Sequence, residues 1–360
     1  MRILHVITSL LTGGAEKLMV DLLPRMKAKG YDVELCTFDS TLTPFRLELE
    51  KAGILIHSFH YGVQNVYDPR NILRLRKLII SGKYDIIHTH NTAPQLYAPI
   101  ANIGINVRLV TTEHNTNNRR RNNIFFKVFD FWMYRQYSNI ICISKQAEIN
   151  LKSYLHRLNN VCIVFNGIDY YKYSKAELAN DVRTIGSRIV VMVAAFRDQK
   201  DQPTLIKAMQ YLPKDFHLCL VGDGPRRVEY KNLISELNLN ERVHLLGIRN
   251  DVHNVLAASD YVVMCSHYEG LSLSSLEGMA SGKPFLADNV DGLREIVKGY
   301  GVLFEHGDFR GLSDAILKLE EDSEYRKNIV KSCQNKASEY DINNVVDNYI
   351  EIYKGILYAK

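Results

Sequence analysis

The chain opens with an apolar run, RILHVITSL, that ends in LTGGAEK and passes into Ala15, Leu18, Met19, Leu22, Leu23 and Met26. Offsets of 0, 3, 4, 7, 8 and 11 trace one helical face, and Gly30 then stops the helix. YDVELCTF reads as the next strand, so strand, glycine turn, helix and strand form the βαβ unit of a parallel sheet. YDIIHTH, VRLVTTEH, NIICIS and NVCIVFNG continue the pattern as short β-rich runs. A polar stretch, YYKYSKAELANDVRTIGSR, interrupts it, and a second series follows: IVVMVAAF, FHLCLVGDG, RVHLLG, DYVVMCS, KPFLA and GVLF. The pattern predicts two tandem doubly wound α/β domains, residues 1–170 and 188–341, joined by a linker over 171–187. VVDNYIEIYKGILYAK, at the end, predicts one more amphipathic helix. In such sheets ligands bind beyond the carboxyl ends of the strands, near the point where strand order reverses.

Composition narrows this little: 46% hydrophobic and 24% charged residues over 360 positions suit a two-domain globular protein. No apolar run approaches the length of a membrane span. The opening run is short and interrupted by polar residues, so a buried first strand is expected in place of a signal peptide. The six cysteines form no C-x-x-C pair and share no ligand spacing with the twelve histidines. No zinc site and a cytoplasmic location are therefore expected. Charge is unevenly spread. Residues 1–170 carry 21 Lys and Arg against 13 Asp and Glu, and the remainder 24 against 27. A basic first half fits an anionic partner or membrane surface, and equally an ordinary solvated surface.

Candidate chemistry lies in the loops. Gly13 and Gly14 of TGGAEK let backbone approach an anion at a helix N-terminus, or simply make a tight turn. The stretch is not G-x-G-x-x-G, which weakens a nicotinamide dinucleotide site. His90 and His114 each stand at a strand end, in HTHNT and TTEHNT, while His88 is expected to point away from His90 or into the core. Arg119, Arg120 and Arg121 precede a dense aromatic segment; phosphate recognition beside a membrane interface competes with a helix that buries its aromatic side. No nucleic-acid reader module is recognisable. Arg197 and Lys200 in FRDQKD could face a diphosphate or solvent.

EGLSLSSLE, from Glu269 to Glu277, supports two readings. Ser274 and Glu277 fit the S-x-x-E capping box, in which the glutamate bonds back to the cap residue. If the helix begins near Ser272, Glu277 lies too deep to close that box and its carboxylate is free for another partner.

The ordered set TGGAEK, DIIHTHN, TTEHN, FNGID, FRDQKDQPTLIKA, LVGDGP, LLGIRNDV, EGLSLSSLEGMASGKP and DGLREIV resembles glycosyltransferase family 4, enzymes of the GT-B fold that use nucleotide-sugar donors. The resemblance implies two Rossmann-like domains facing a central cleft, with residues from about 342 to 360 crossing back to the first. It implies Glu277 on the ribose, Glu269 on the transferred sugar and Lys200 on the diphosphate. Backbone around Gly270, Leu271, Ser272, Leu273 and Ser274 would meet the distal phosphate and sugar. Ile248 and Arg249 would lie beside the base, with Gly13 and Gly14 facing the donor phosphate from the first domain. His114 matches the active-site histidine, and His90, Asn115 and Arg119–Arg121 are candidates for the acceptor. The sequence departs from the family at Ala195, where an arginine is common; Arg197 is the nearest replacement.

The implied reaction is retaining and metal-independent, with no cofactor, a nucleotide-sugar co-substrate, and a glycan or lipid-linked acceptor. Leaving-group charge would fall on Lys200 and helix-end dipoles, with front-face attack in place of a covalent intermediate on Glu269. The basic first domain is compatible with contact to the inner membrane face, and no nucleic-acid partner is expected. A nucleotide-sugar 2-epimerase, a nicotinamide dehydrogenase and a non-enzymatic binding module are the competing readings.

Overall fold

The structure, a computed structural model, describes residues 1–11, 13–60, 66–114, 124–156 and 158–358, leaving aside the side chains of 124–126. It divides into two compact units, Met1–Gly167 with the segment from Ile342 onward, and Ile168–Asp341. Each is built on a wholly parallel sheet.

In the first unit the strands are β1 (Arg2–Ile7), β2 (Asp32–Asp39), β3 (Leu55–His60), β4 (Ile86–His90), β5 (Arg108–Glu113), β6 (Asn139–Cys142) and β7 (Val161–Ile163). Their order is β3-β2-β1-β4-β5-β6-β7, so the winding reverses between β1 and β4. Strand alternation divides the core by face. Ile3, Ile7, Ile86 and Val110 join the cluster with Leu18, Leu22, Tyr349 and Tyr353. Leu4, Val6, Ile87 and Leu109 join the opposite one, with Leu75, Tyr134 and Tyr137. The first cluster explains why helix Ile342–Tyr358 rejoins this unit: its apolar stripe, including Val346, Tyr349 and Tyr353, is fully buried on that face.

The second unit contains β8 (Arg188–Val193), β9 (Phe216–Val221), β10 (Val243–Gly247), β11 (Tyr261–Met264), β12 (Phe285–Asp288) and β13 (Val302–Phe304), in the order β10-β9-β8-β11-β12-β13. Here the winding reverses between β8 and β11. The stretch 171–187, expected to be a linker, is part of this unit. It carries helix Asn180–Arg183, and Tyr173, Ala179 and Val182 are buried in the core. Those three apolar residues are too few and too widely spaced to produce a periodic signal, yet each fills a place between helices.

Among the described residues no helix is long and apolar enough to cross a membrane.

Candidate active site

At the reversal point of the second sheet, the loops after β8 and β11 meet. Lys200 and Ser266 pair as an isolated antiparallel bridge, and His267 N–H donates to Gln199 O at 2.9 Å. This backbone join fixes the side chains. Lys200 Nζ forms an ion pair with Glu269 Oε1, with the two side chains 14% and 7% exposed. Glu269 also accepts from Ser266 Oγ at 2.8 Å and from Gln199 Nε2 at 3.3 Å. A carboxylate this enclosed needs a cation and several donors to offset its lost hydration. Gln199 and Ser266, to which the sequence alone assigns no role, supply two of them.

The next stretch decides between the two readings of EGLSLSSLE. The helix runs Leu273–Ala280 with Ser272 as its cap, whose side chain accepts from Ser275 N–H. Glu277 therefore sits two positions beyond the third helical residue and closes no capping box. Its Oε1 accepts from Tyr173 O–H at 2.6 Å. Leu276 is fully buried, while Leu271 and Leu273 are partly buried against the core. The first-turn N–H groups of Leu273 and Ser274 have no acceptor inside the helix, so its positive end opens four residues beyond Glu269 in the chain.

Gly292 holds this loop from behind. Its φ is +86°, and a Cβ there would lie 2.2 Å from Glu269 O and 2.7 Å from Gly270 O. Only glycine suits such a backbone conformation with so close an approach. Glu269 N–H in turn donates to Asp291 O at 3.2 Å.

The remaining second-unit candidates are less enclosed. Ile248 is 74% exposed just past β10. Arg249 is held by Asp251 (Nε to Oδ1, 2.8 Å) and by Asp181 (Nη1 to Oδ2, 2.5 Å), and these bonds raise its pKa and lower those of both aspartates. Asp181 lies in the stretch expected to be a linker. Ala195 is half-buried and Arg197 is exposed, its N–H donating to Ala195 O at 3.0 Å in a tight turn.

In the first unit, register and alternation gather histidines on one face. His5 pairs with His88 across β1 and β4, and His90 with Thr112 across β4 and β5. His88 and His90 are two residues apart and so share a face; their rings stack at 4.3 Å. Of the two expectations for His88, pointing away from His90 misapplied the period of two, and a place in the core is what the structure shows. His5, His88 and His90 are completely buried and His114 is half-buried. His90, a candidate for the acceptor, has its Nε2 facing His5 Nδ1 at 3.0 Å and its Nδ1 facing His114 Nε2 at 2.9 Å. His88 bonds Tyr353 O–H and, at 2.7 Å, Thr112 Oγ1. Burial pushes His5 down to about 3 and His114 to about 4. It also holds His88 and His90 well below the histidine range, with neighbouring imidazoles adding to the effect. All four are neutral at pH 7.

Gly13 caps helix Gly14–Ala28 with extended backbone, at the same sheet edge as His90 and His114. Glu16 in its first turn accepts from Asn91 Nδ2 at 3.3 Å, joining the loops after β1 and β4. Asn115, Arg119, Arg120 and Arg121 lie outside the described residues. Of the aromatic segment, Tyr134 and Tyr137 are buried, whereas Trp132 and Val128 are exposed.

Two family models match the chain: Glycosyltransferase Family 4 over residues 12–171 and Glycosyl transferases group 1 over 176–336. The chain belongs to the family 4 glycosyltransferases. It is 26% identical over 375 residues to the UDP-Gal:alpha-D-GlcNAc-diphosphoundecaprenol alpha-1,3-galactosyltransferase of Escherichia coli, covering 98% of this chain and 96% of that one. It is also 26% identical over 370 residues to the N-acetyl-alpha-D-glucosaminyl L-malate synthase of Bacillus anthracis, covering 96% and 94%. The fold matches that of Anabaena HepE, crystallised with UDP, at a TM-score of 0.83 and 22% identity over 99% of this chain and all of that one. The transferase thus has the GT-B fold.

The transferase also brings together ligand-type side chains whose linear spacing gave no sign of it. Donor atoms of His5, His88 and His90 lie within 4.8 Å of one another, as do those of Asp201, His267 and His306. Neither set fits a resident metal well. Both nitrogens of His88 and of His90 are engaged in hydrogen bonds. Asp201 uses its carboxylate to cap helix Gln202–Ala208 through Thr204, accepting Oγ1–H at 2.6 Å.

Proposed function

We propose that this transferase moves a sugar, with retention and without a metal, from a UDP- or GDP-sugar to a lipid-linked or glycan acceptor in surface polysaccharide or glycoconjugate synthesis. The observation that carries this reading is the Lys200–Glu269 pair held at the reversal point of the second sheet, four residues before the open N-terminus of helix Leu273–Ala280. An ammonium group has three N–H donors, so Lys200 can keep Glu269 and still meet a phosphate oxygen. Glu269, fixed by Ser266 and Gln199, would accept from hydroxyls of the transferred sugar. Glu277, free of any capping role, would accept from the ribose hydroxyls while Tyr173 orients it.

Fixed charges of this kind stabilise a departing nucleoside diphosphate and an oxocarbenium-like sugar without reorganising. Lysine and first-turn N–H groups would then perform what a divalent cation does in other transferases. Glu269, already bound to a cation and two donors, acts as an orienting group, and the leaving phosphate takes the acceptor's proton on the same face. Arg249, committed to two aspartates, would shape the base pocket more than it recognises the base, and Ile248 would offer the base an apolar surface. His114 would lie near the transferred sugar. Arg119–Arg121 remain candidates for a diphosphate-bearing acceptor, the type named for the Escherichia coli relative, with the basic first domain toward an anionic membrane face.

A thermal-shift panel of nucleotide sugars tests the reading, because a donor that binds only the folded state raises the melting temperature by mass action. Stabilisation by one nucleotide sugar, and by its nucleoside diphosphate more weakly, is expected. A panel in which none stabilises would overturn the donor site.

A further inference from the structure

The order β8-β11-β12-β13 sets four strand ends side by side, and each contributes one group to a cluster at the same sheet edge. Asp201 comes from the loop after β8, His267 from the loop after β11, Asp288 from the end of β12 and His306 from just beyond β13. His267 Nδ1 faces His306 Nε2 at 3.0 Å, and His306 Nδ1 faces Asp288 Oδ2 at 3.5 Å. Asp288 Oδ2 also accepts from Ser266 N–H at 2.7 Å, while its Oδ1 is buried with no partner among the described residues.

The cluster is short of positive charge. Asp201 is 7% exposed and Asp288 is wholly buried, yet among the described residues neither forms an ion pair with a lysine or an arginine. Lys200, next to Asp201 in the chain, pairs with Glu269. Two enclosed carboxylates with imidazoles for neighbours favour a cation among them. Both imidazoles are exposed, so an ion can reach them from solvent.

The geometry suits a metal ion shared by the two rings. Two nitrogens bound tetrahedrally to one Zn²⁺ lie about 3.3 Å apart, close to the separation already present. A carboxylate behind a ligating imidazole is the usual support of such a site: it takes the proton of one ring nitrogen and aims the lone pair of the other. Asp288 stands in that place, so His306 Nε2 offers its lone pair toward His267. Without an ion, His267 donates its Nδ1–H to that lone pair. An ion would take both lone pairs, and the proton of His267 would move to its other ring nitrogen. Asp201 is spent on its helix cap, its two oxygens accepting from Thr204 N–H at 3.3 Å and Oγ1–H at 2.6 Å. The third protein ligand of a resident metal is therefore lacking, and water would complete the shell of an exchangeable one.

We infer that His267 and His306, backed by Asp288, form a binding site for an exchangeable transition-metal dication of the Zn²⁺ class, which clips the loop after β11 to the loop after β13. The clipped loop also carries Ser266 and Glu269, so the ion would hold that stretch from the side away from Lys200's strand. Imidazole ligands select such ions over Mg²⁺ and Ca²⁺, which prefer oxygen. The site stands apart from the proposed transfer reaction and has no part in its chemistry.

Calorimetric titration of zinc chloride into the metal-stripped, full-length protein near neutral pH tests the inference. Wild type should bind Zn²⁺ saturably. His306→Ala and His267→Ala change exposed positions, so the fold should hold, and each should weaken binding by more than about tenfold. Asp288→Asn keeps an acceptor for Ser266 N–H but loses the charge behind His306, and should weaken binding roughly tenfold. A second facing pair, His217 Nδ1 and His244 Nε2 at 3.2 Å, accepts no carboxylate hydrogen bond among the described residues and serves as the control. His217→Ala should leave the affinity unchanged. No saturable binding in wild type, or equal affinity in wild type and His306→Ala, would overturn the inference. So would a loss in His217→Ala as large as that in His306→Ala.

Discussion

The two units place their chemistry at the same edge of the same kind of sheet, with opposite materials. The first uses four buried or half-buried imidazoles, all neutral and tied to one another, to Thr112 and to Tyr353. The second uses charges matched in pairs, Lys200 with Glu269 and Arg249 with Asp181 and Asp251. Neutral hydrogen-bond chains fix direction, suiting hydroxyl recognition. Matched charges fix one another's side chains, and in the proposed function the Lys200 ammonium has N–H donors left for a phosphate oxygen. The difference teaches that these parallel sheets set where a site can be, while the residues at strand ends set what it can do.

The contrast breaks most severely if the charge pair is removed. Lys200→Met strips the counter-ion from an enclosed carboxylate and should lower kcat about 100- to 1,000-fold, as loss of a fixed charge at a leaving group does. Steady-state turnover with the donor found by thermal shift checks this, and near-normal turnover would make the pair structural only.

Acid should separate the units next. The folded-state values of His5 and His114, about 3 and about 4, lie below the unfolded value near 6.5. The unfolded chain therefore binds more protons, so their contribution is present above pH 6.5 and is lost as pH falls toward those values. In the second unit burial raises Asp288 to about 6, so the folded state binds the extra proton, and that contribution is present below about pH 4 and lost as pH rises through 6. Trp132, the single tryptophan, lies in the first unit. Its fluorescence in urea should show a midpoint that falls between pH 7 and 5 more than the far-ultraviolet dichroism midpoint, which averages both units. Midpoints that move together would argue against burial of the four rings.

Backbone substitutions sharpen the comparison further. Gly292→Ala should cost about 2 kcal/mol, combining a left-handed backbone with contact on Glu269 O. Gly307→Ala, at φ +75° with nothing near, should cost about 1 kcal/mol. Unfolding by denaturant gives both values, and equal costs would mean that Gly292 does not clamp the loop. Smallest of all, Ser272→Ala should cost about 1 kcal/mol as a lost cap and Ser274→Ala under about 0.5 kcal/mol, read the same way.

Much of the fold was legible because it rests on local period. Ala15, Leu18, Met19, Leu22, Leu23 and Met26, predicted as one helical face, are all buried. The lysine and both glutamates were legible as parts of a motif set, though not from their spacing alone. Illegible were features that depend on which strands lie side by side. The histidine chain joins position 5 to 90 and 114 through parallel register, and no local pattern encodes that. Tyr173 and Asp181 were overlooked because a stretch with few apolar residues looks like a linker, whatever it touches once folded. Gly292 belonged to a recognised motif, but only three-dimensional proximity ties it to Glu269.

The central claim is that Glu277 serves a ligand and does not cap its helix. Calorimetric titration of the donor into wild type, Glu277→Gln and Ser274→Ala tests it most directly. Glutamine keeps an acceptor for Tyr173, so the fold should hold. Donor affinity should fall roughly tenfold or more in Glu277→Gln, the worth of a charged hydrogen bond, and hardly at all in Ser274→Ala. Equal affinity in all three proteins would contradict the claim.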